Sequence, residues 1–372
     1  MDILKEDIII DYILQKQAAE EQIDKTRKLK NKLEKSRNNY LKKKSSESDD
    51  PEHLNSLNER IEEHTEMITS LEKSIETVNR EVTPLIAFVV QYIKDRKEAL
   101  TITVGNYKGG AGKTSISINL AFILAQHGLD VLVVDMDAQT NATKALMVTK
   151  SVNNPDEVIS IRKTIMKGVQ EGSFEDLTVN IVDHLHLLPT SIEFEDFAKY
   201  LYKTTSSDDE ADHVFSRLLE PLKKEVDLII LDIPPLNIEC TKNAVLASDY
   251  VLISLQTQAR SLDGAEQFVK QLQKVSQKYN HNVEIVGALP VMLKKTRGSD
   301  QFILDQAKES FGEGNLFRQV IPNLDRVPTQ DLKGIVLEDR HDMRLNQVFS
   351  DIAYEFLERL YYFETTNQGV AS

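Results

Sequence analysis

Cysteine is almost missing from this 372-residue chain, and its scarcity limits the chemistry open to it. Cys240, alone, can form no internal disulfide and can hold no iron–sulfur cluster within one chain. The eight histidines show no metal-ligand spacing with it, which excludes a zinc finger. Long apolar runs are missing too. No stretch of about 18 apolar residues occurs, so an integral transporter or receptor is excluded. Asp2, Lys5, Glu6 and Asp7 interrupt any apolar stretch near the start, so no secretory signal is expected and the expected location is the cytoplasm. Positive charge is in short supply, with 45 Lys+Arg against 59 Asp+Glu and a net charge of −14. That argues against a protein that coats nucleic acid with its whole surface, while leaving room for a local basic patch.

Glycine is absent from residues 1–97, and that absence divides the chain. At 42.3 kDa the protein exceeds what one hydrophobic core usually holds. Two parts are expected, a helical extension over 1–97 and a larger domain over 98–372. In the first part a break-rich stretch, Ser45-Ser-Glu-Ser-Asp-Asp-Pro51, separates two charged segments of good helix formers, which reads as a helical hairpin. After the break Leu54, Leu57, Ile61, His64, Ile68, Leu71, Ile75, Val78, Val82 and Leu85 follow a 3-4 spacing, the seam of a coiled coil. The arm before it is less regular, with Ile23, Leu29, Leu33 and Tyr40 as apolar points and ten basic residues from Lys25 to Lys44 against one acid, Glu34. It can pair back antiparallel on the second arm or pair with another subunit. The basic stretch reads as a solvated face, with contact to DNA phosphates as the lesser alternative.

From Leu100 short β-branched runs alternate with helical patterns. They are Leu100-Thr-Ile-Thr-Val-Gly105, Val131-Leu-Val-Val-Asp135, Leu185-His-Leu-Leu-Pro189, Leu228-Ile-Ile-Leu-Asp232, Tyr250-Val-Leu-Ile-Ser254 and Val283-Glu-Ile-Val-Gly287. Near-continuous apolar strands separated by helices mean an α/β domain whose mostly parallel sheet is covered on both faces. Ligands in such folds gather at the carboxyl ends of the strands.

The first strand runs directly into Gly105-Asn-Tyr-Lys108-Gly109-Gly110-Ala111-Gly112-Lys113-Thr114-Ser115 and then a helical pattern, which is the P-loop spacing in its strand–loop–helix context. The glycines let backbone N–H groups curl around phosphate oxygens, and the helix adds its positive end. Lys113 is expected to neutralise the β- and γ-phosphates and the Thr114 hydroxyl to ligate Mg²⁺. Asp232 ends a strand before Ile233-Pro-Pro235, where a P-loop enzyme holds magnesium through its water shell. Asp135 and Asp137 end another strand two residues apart, and one of them can orient the attacking water. An aspartate at a strand end is otherwise a turn former or helix cap.

These residues resemble a known family. Lys108-Gly-Gly-Ala-Gly-Lys113-Thr114-Ser115 is similar to the deviant Walker A motif of the ParA/Soj/MinD group of ATPases, with its extra signature lysine. Asp135-x-Asp137-x-Gln139 resembles the second motif of that group, and Asp232-x-Pro234-Pro235 its Walker B motif. Ala111 and Ser115 stand where valine and threonine are common in the family. The resemblance runs from roughly residue 100 to 350, through Ala247-Ser-Asp-Tyr-Val-Leu-Ile-Ser254, Ser261-Leu-Asp-Gly264 and Val320-Ile-Pro-Asn-Leu-Asp-Arg326. It implies a P-loop NTPase fold, ATP and Mg²⁺ as cofactors, and a nucleotide-sandwich homodimer with weak intrinsic hydrolysis. In that dimer Lys108 reaches the partner's ATP and Asp137 helps position the water. Gly109, Gly110, Ala111, Gly112, Lys113, Thr114, Ser115, Pro322, Asn323 and Asp325 would hold the nucleotide, and Thr114, Asp135 and Asp232 the metal.

Within the group, members docking on membranes carry a basic amphipathic C-terminal helix. Here the segment Asp351–Phe363 has an apolar stripe but only Arg359 as a positive charge, so packing on the core is expected and membrane binding is not. ParA-type members remain. Their resemblance implies nucleoid association through sequence-independent DNA binding, placed here on Arg326, Lys294, Lys295 and Arg297, and a ParB-like centromere-binding partner that stimulates hydrolysis. The alternatives are a nucleotide-gated autorepressor binding an operator through the N-terminal region, or an ATP-dependent scaffold. No helix-turn-helix signature appears in residues 1–97.

Overall fold

The computed structural model describes residues 7–43, 51–156, 160–293, 298–322, 330–336 and 340–367, and the chain forms two compact units, residues 1–88 and 89–372. The smaller unit is built on α1 (Ile8–Lys43) and α2 (Pro51–Lys94), the division falling inside α2. Tyr40 meets His53 edge-on at 5.3 Å, and Arg27 pairs with Glu72 at 2.7 Å. Moving back along α1 thus moves forward along α2. Of the two pairings open to the first arm, the antiparallel one is formed. On α2 the 3-4 seam is the buried one: Leu57, Ile61, Ile68, Val78 and Val82 are buried, Leu54, His64, Leu71, Ile75 and Leu85 half-buried, and every other position from Pro51 to Glu81 exposed. On α1 the expected apolar points need one correction. Ile23 is buried and Leu33 and Tyr40 half-buried, but Leu29 is 50% exposed. The seam there runs Ile23, Thr26, Lys30, Leu33, Arg37, Tyr40, and Leu29 lies one residue, about 100° of helix, off it. Thr26 can occupy the seam because its hydroxyl donates to Gln22 O at 2.8 Å.

The larger unit carries β1 (Leu100–Gly105), α3 (Lys113–Gln126), β2 (Val131–Asp135), α4 (Asn141–Asn153), α5 (Ile165–Glu171), β3 (Val179–Val182) and β4 (Leu185–Leu188). It continues with α6 (Phe197–Thr204), α7 (Asp208–Asp212), α8 (Val214–Leu219), β5 (Leu228–Asp232), α9 (Ile238–Ala247), β6 (Tyr250–Gln256), α10 (Ala259–Tyr279) and β7 (Glu284–Leu293). It closes with α11 (Gly298–Phe311), β8 (Ile321–Pro322), α12 (Gln330–Lys333) and α13 (Arg340–Asn367). The sheet order is β3-β4-β2-β5-β1-β6-β7-β8, parallel throughout except at β3. Every residue of β1, β2 and β5 is buried, which requires helices on both faces. The α/β reading and all six expected strands are present. Edge strand β3 and two-residue β8 were not expected, being short or half-exposed and so without a periodic signal.

Two features of this sheet position the site. Parallel pairing puts Asp135 opposite Asp232 and Val104 opposite Asp232, so three strand ends deliver the P-loop and both acids to one edge. At the C-terminal end α13 buries Phe349, Ile352, Phe356, Leu357 and Leu360. Arg359 turns inward to Glu355 at 2.9 Å and to the carbonyls of Leu316 and Gly314, as expected for a helix packed on the core. Among the described residues no helix is long and apolar enough to cross a membrane.

Candidate functional site

The loop after β1 turns through two left-handed glycines, Gly110 at φ 71° and Gly112 at φ 90°. A Cβ on Gly112 would also come within 2.8 Å of Val291 Cγ1, so both backbone shape and space demand glycine there. Gly112 leads into α3 with no side chain capping the helix, which leaves the first-turn N–H groups directed to the loop side. An uncapped helix start at the end of a glycine loop suits an anion.

The loop is anchored from beneath by Asn106, which is fully buried. Its Nδ2 donates to Ser254 O at 2.7 Å and Ser261 O at 3.1 Å, while its Oδ1 accepts from Lys108 N at 2.7 Å. Ser254 Oγ donates to Ala111 O, adding a second tie from the end of β6. These side-chain ties hold the P-loop from the protein side.

Lys113 is buried, and its Nζ donates to Lys108 O at 3.4 Å. Burial pushes its pKa down, opposed by Asp232 and then Asp137. Thr114 Oγ1 donates to Asp232 Oδ2 at 2.7 Å and Ser117 Oγ to Asp232 Oδ1 at 3.2 Å. Burial raises Asp232 to about 6 against the pull of Thr114 and Lys113. Asp135 is also fully buried, and burial first, then Asp232, raises it to about 7. Its Oδ2 accepts from Thr143 N at 2.8 Å and Thr143 Oγ1 at 2.7 Å, and its Oδ1 accepts from Asp137 N at 3.1 Å. Asp135 therefore fastens the loop after β2 to α4. Asp137 is half-buried and accepts from Gln139 N at 2.9 Å, in a tight turn closed by Thr140 at φ 63°.

A cleft of about 550 Å³ opens over these groups. It brings together Gly109, Gly110, Ala111, Gly112, Lys113, Thr114, Ser115 and Asp137, as the sequence suggested, and adds Gln139, Pro234, Pro235 and Gln330. Asp232 and Asp135 stand behind the lining, and half-buried Lys108 lies outside it. Pro322 pairs with Leu293 at the β7–β8 edge and does not line the cleft. Asn323, Asp325 and Arg326, and Lys294, Lys295 and Arg297, lie outside the described residues. No group of three or more His, Cys, Asp or Glu able to hold a metal occurs among the described residues. A hard cation here would depend on the Thr114 hydroxyl, one strand-end carboxylate, water and ligand oxygens, a donor set that suits Mg²⁺ bound with phosphate.

Two functional contacts escape sequence reasoning. Asn106 carries no signal beyond following a strand. Gln330 is buried and exchanges two 2.8 Å hydrogen bonds with Asn119 of α3, whose Nδ2 also donates to Ser115 O at 2.8 Å. This amide pair joins α12 to the P-loop helix across 211 residues, a separation no local pattern reveals.

Comparison with known proteins agrees with this geometry. Residues 99–285 match a family described as AAA domain. The chain is 31% identical over 258 residues to the sporulation initiation inhibitor protein Soj of Bacillus subtilis, covering 68% of this chain and 96% of that one. It is 31% identical over 228 residues to the chromosome-partitioning ATPase Soj of Thermus thermophilus, covering 61% and 82%. In fold it is similar to a putative plasmid partition protein of Borrelia burgdorferi bound to AMPPNP, at TM-score 0.56 and 22% identity over 71% of this chain and 100% of that one. The chain belongs to this AAA-domain family and is a partition ATPase of the ParA/Soj type.

Proposed function

We propose that this ParA/Soj-type protein binds ATP·Mg²⁺ in the cleft over α3, dimerises on it, and binds nucleoid DNA without sequence preference until a ParB-like partner stimulates hydrolysis. The observation that carries the reading is the buried Lys113 set beside Thr114 and Asp232 beneath an uncapped helix start. Lys113 and the amides of 110–115 hold the β- and γ-phosphates, with Thr114 and Asp232 fixing the metal side and Asp135 keeping the adjoining loop in place. Magnesium, when bound, neutralises charge on the phosphate oxygens. Asp137, in the lining, orients the water that attacks the γ-phosphate.

Lys108 lies outside its own cleft, which supports a role at the partner's nucleotide. A cation supplied in trans helps the reaction only after assembly, so intrinsic turnover is slow. The cleft rim fits a second copy. Leu236 and Ile238 follow the lining Pro235 and are 72% and 50% exposed, and Leu236 holds a left-handed φ of 53° that presents it outward. Arg326, Lys294, Lys295 and Arg297 supply the DNA contacts.

Sedimentation velocity tests this directly. The wild-type protein should shift from monomer to dimer with the non-hydrolysable triphosphate AMPPNP and Mg²⁺, and not with ADP. Lys108→Ala should bind AMPPNP yet stay monomeric, and a Lys108→Ala protein that dimerises normally would refute the assignment in trans.

A further inference from the structure

The helical hairpin carries a charged face that the nucleotide cycle does not use. On α1 the seam positions are Ile23, Thr26, Lys30, Leu33, Arg37 and Tyr40. Two residues beyond each stand Lys25, Lys28, Lys32, Lys35, Asn39 and Lys42, and two residues are about 200° of helix. The five lysines therefore form one stripe pointing directly away from α2. All five are exposed. Lys25 pairs with Glu21 at 3.1 Å, an exposed contact worth little. No carboxylate among the described residues pairs with Lys28, Lys32, Lys35 or Lys42.

We propose that this outward lysine stripe is a second binding site, one that holds the phosphate backbone of duplex DNA independently of nucleotide. From Lys25 to Lys42 the stripe rises by 17 residue steps, roughly 26 Å of helix, and so offers a charge about every 6 Å. A duplex carries a phosphate charge about every 1.7 Å of its axis, so each lysine finds a phosphate without register matching. An acidic protein would need its carboxylates spaced to match. Lysine is a point charge on a flexible stem, suited to backbone and unable to read bases by itself. A membrane surface fits poorly. Most apolar residues of α1 are spent on buried positions, and its three exposed large apolar side chains, Leu14, Leu29 and Leu41, are spread over about 180° of helix and so form no continuous apolar face beside the lysines.

The test uses the full chain carrying Arg326→Ala, without nucleotide, so that the contribution of the site invoked for ATP-dependent binding is reduced. Anisotropy of a labelled random-sequence duplex is measured from 50 to 200 mM salt. Five phosphate contacts give a log–log salt slope of about −4.5, or about a 500-fold loss of affinity across that range. Replacing Lys28, Lys32 and Lys35 together by alanine, a good helix former on an exposed face, should cut the loss to about 12-fold with the circular dichroism spectrum unchanged. Arginine at the same three positions should restore the steep slope. Absence of nucleotide-free binding at 50 mM salt, or an unchanged slope in the triple alanine variant, overturns the proposal. So does tighter lysine-dependent binding to phosphatidylglycerol vesicles than to the duplex. Loss of ATP-dependent binding by Arg326→Ala with the nucleotide-free slope intact supports both sites. Retention of ATP-dependent binding in that variant counts against Arg326 alone.

Discussion

Replacing Asn106 by alanine should loosen the whole phosphate loop, because that one side chain ties it to the ends of β6 and α10. Asn106 is fully buried and makes three short hydrogen bonds, to Ser254 O, Ser261 O and Lys108 N. Each buried bond contributes on the order of 1 kcal/mol net, and the stranded partners keep their desolvation penalty. The expected cost is about 3 kcal/mol. For a unit this large that lowers the melting temperature by roughly 6–12 °C. Asn106→Asp separates the bonds from mere volume. A carboxylate can still accept from Lys108 N but faces the carbonyls of Ser254 and Ser261 with lone pairs in place of donors, so the aspartate should be worse than alanine despite its matching shape. The assay is thermal unfolding without nucleotide, paired with titration of a fluorescent ATP analogue, whose affinity should fall in both variants. A loss under about 1 kcal/mol in Asn106→Ala with unchanged affinity would refute the idea that Asn106 presets the loop.

Other expectations follow from the same neighbourhood. Asp135, held near 7, keeps its proton in the folded chain across a range from the ordinary carboxylate region up to about 7 where the unfolded chain has lost it, so it removes stability as pH rises through that window. In metal-free buffer Asp135→Asn should therefore show a smaller drop in melting temperature between pH 5 and pH 8 than the wild type, and an equal or larger drop contradicts the burial argument. Gln330→Leu strands Asn119 Oδ1, while Asn119 Nδ2 keeps its bond to Ser115 O, and should cost about 1–3 kcal/mol; adding Asn119→Leu should recover part of it, checked by denaturant unfolding of the full cycle. Leu236→Gly relieves the left-handed backbone and should raise monomer stability by about 1 kcal/mol while weakening AMPPNP-dependent association in sedimentation. Unaltered association there removes Leu236 from the interface.

The sequence made the parallel sheet legible because buried strands write their burial as unbroken runs, as in Val131–Asp135 and Leu228–Asp232. The P-loop was legible because phosphate binding needs glycines at fixed offsets from Lys113. The α2 seam could be read because its ten positions obey one period, interrupted only by His64. The same rule failed on α1, where Thr26, Lys30 and Arg37 occupy the seam and Leu29 faces water. Gln330 and Asn106 could not be found, since a buried amide is defined by partners distant in sequence. The mutual influence of Asp135 and Asp232 was equally invisible, arising only when register sets two strand ends side by side.

The central claim is that nucleotide state gates DNA binding, and the most direct test is affinity of the wild-type chain for a random-sequence duplex with ATP·Mg²⁺, ADP or no nucleotide, at two salt concentrations. Binding strengthened by ATP over ADP, and weakening steeply with salt, is the predicted result. Equal affinity in all three states, or tighter binding with ADP, would contradict it.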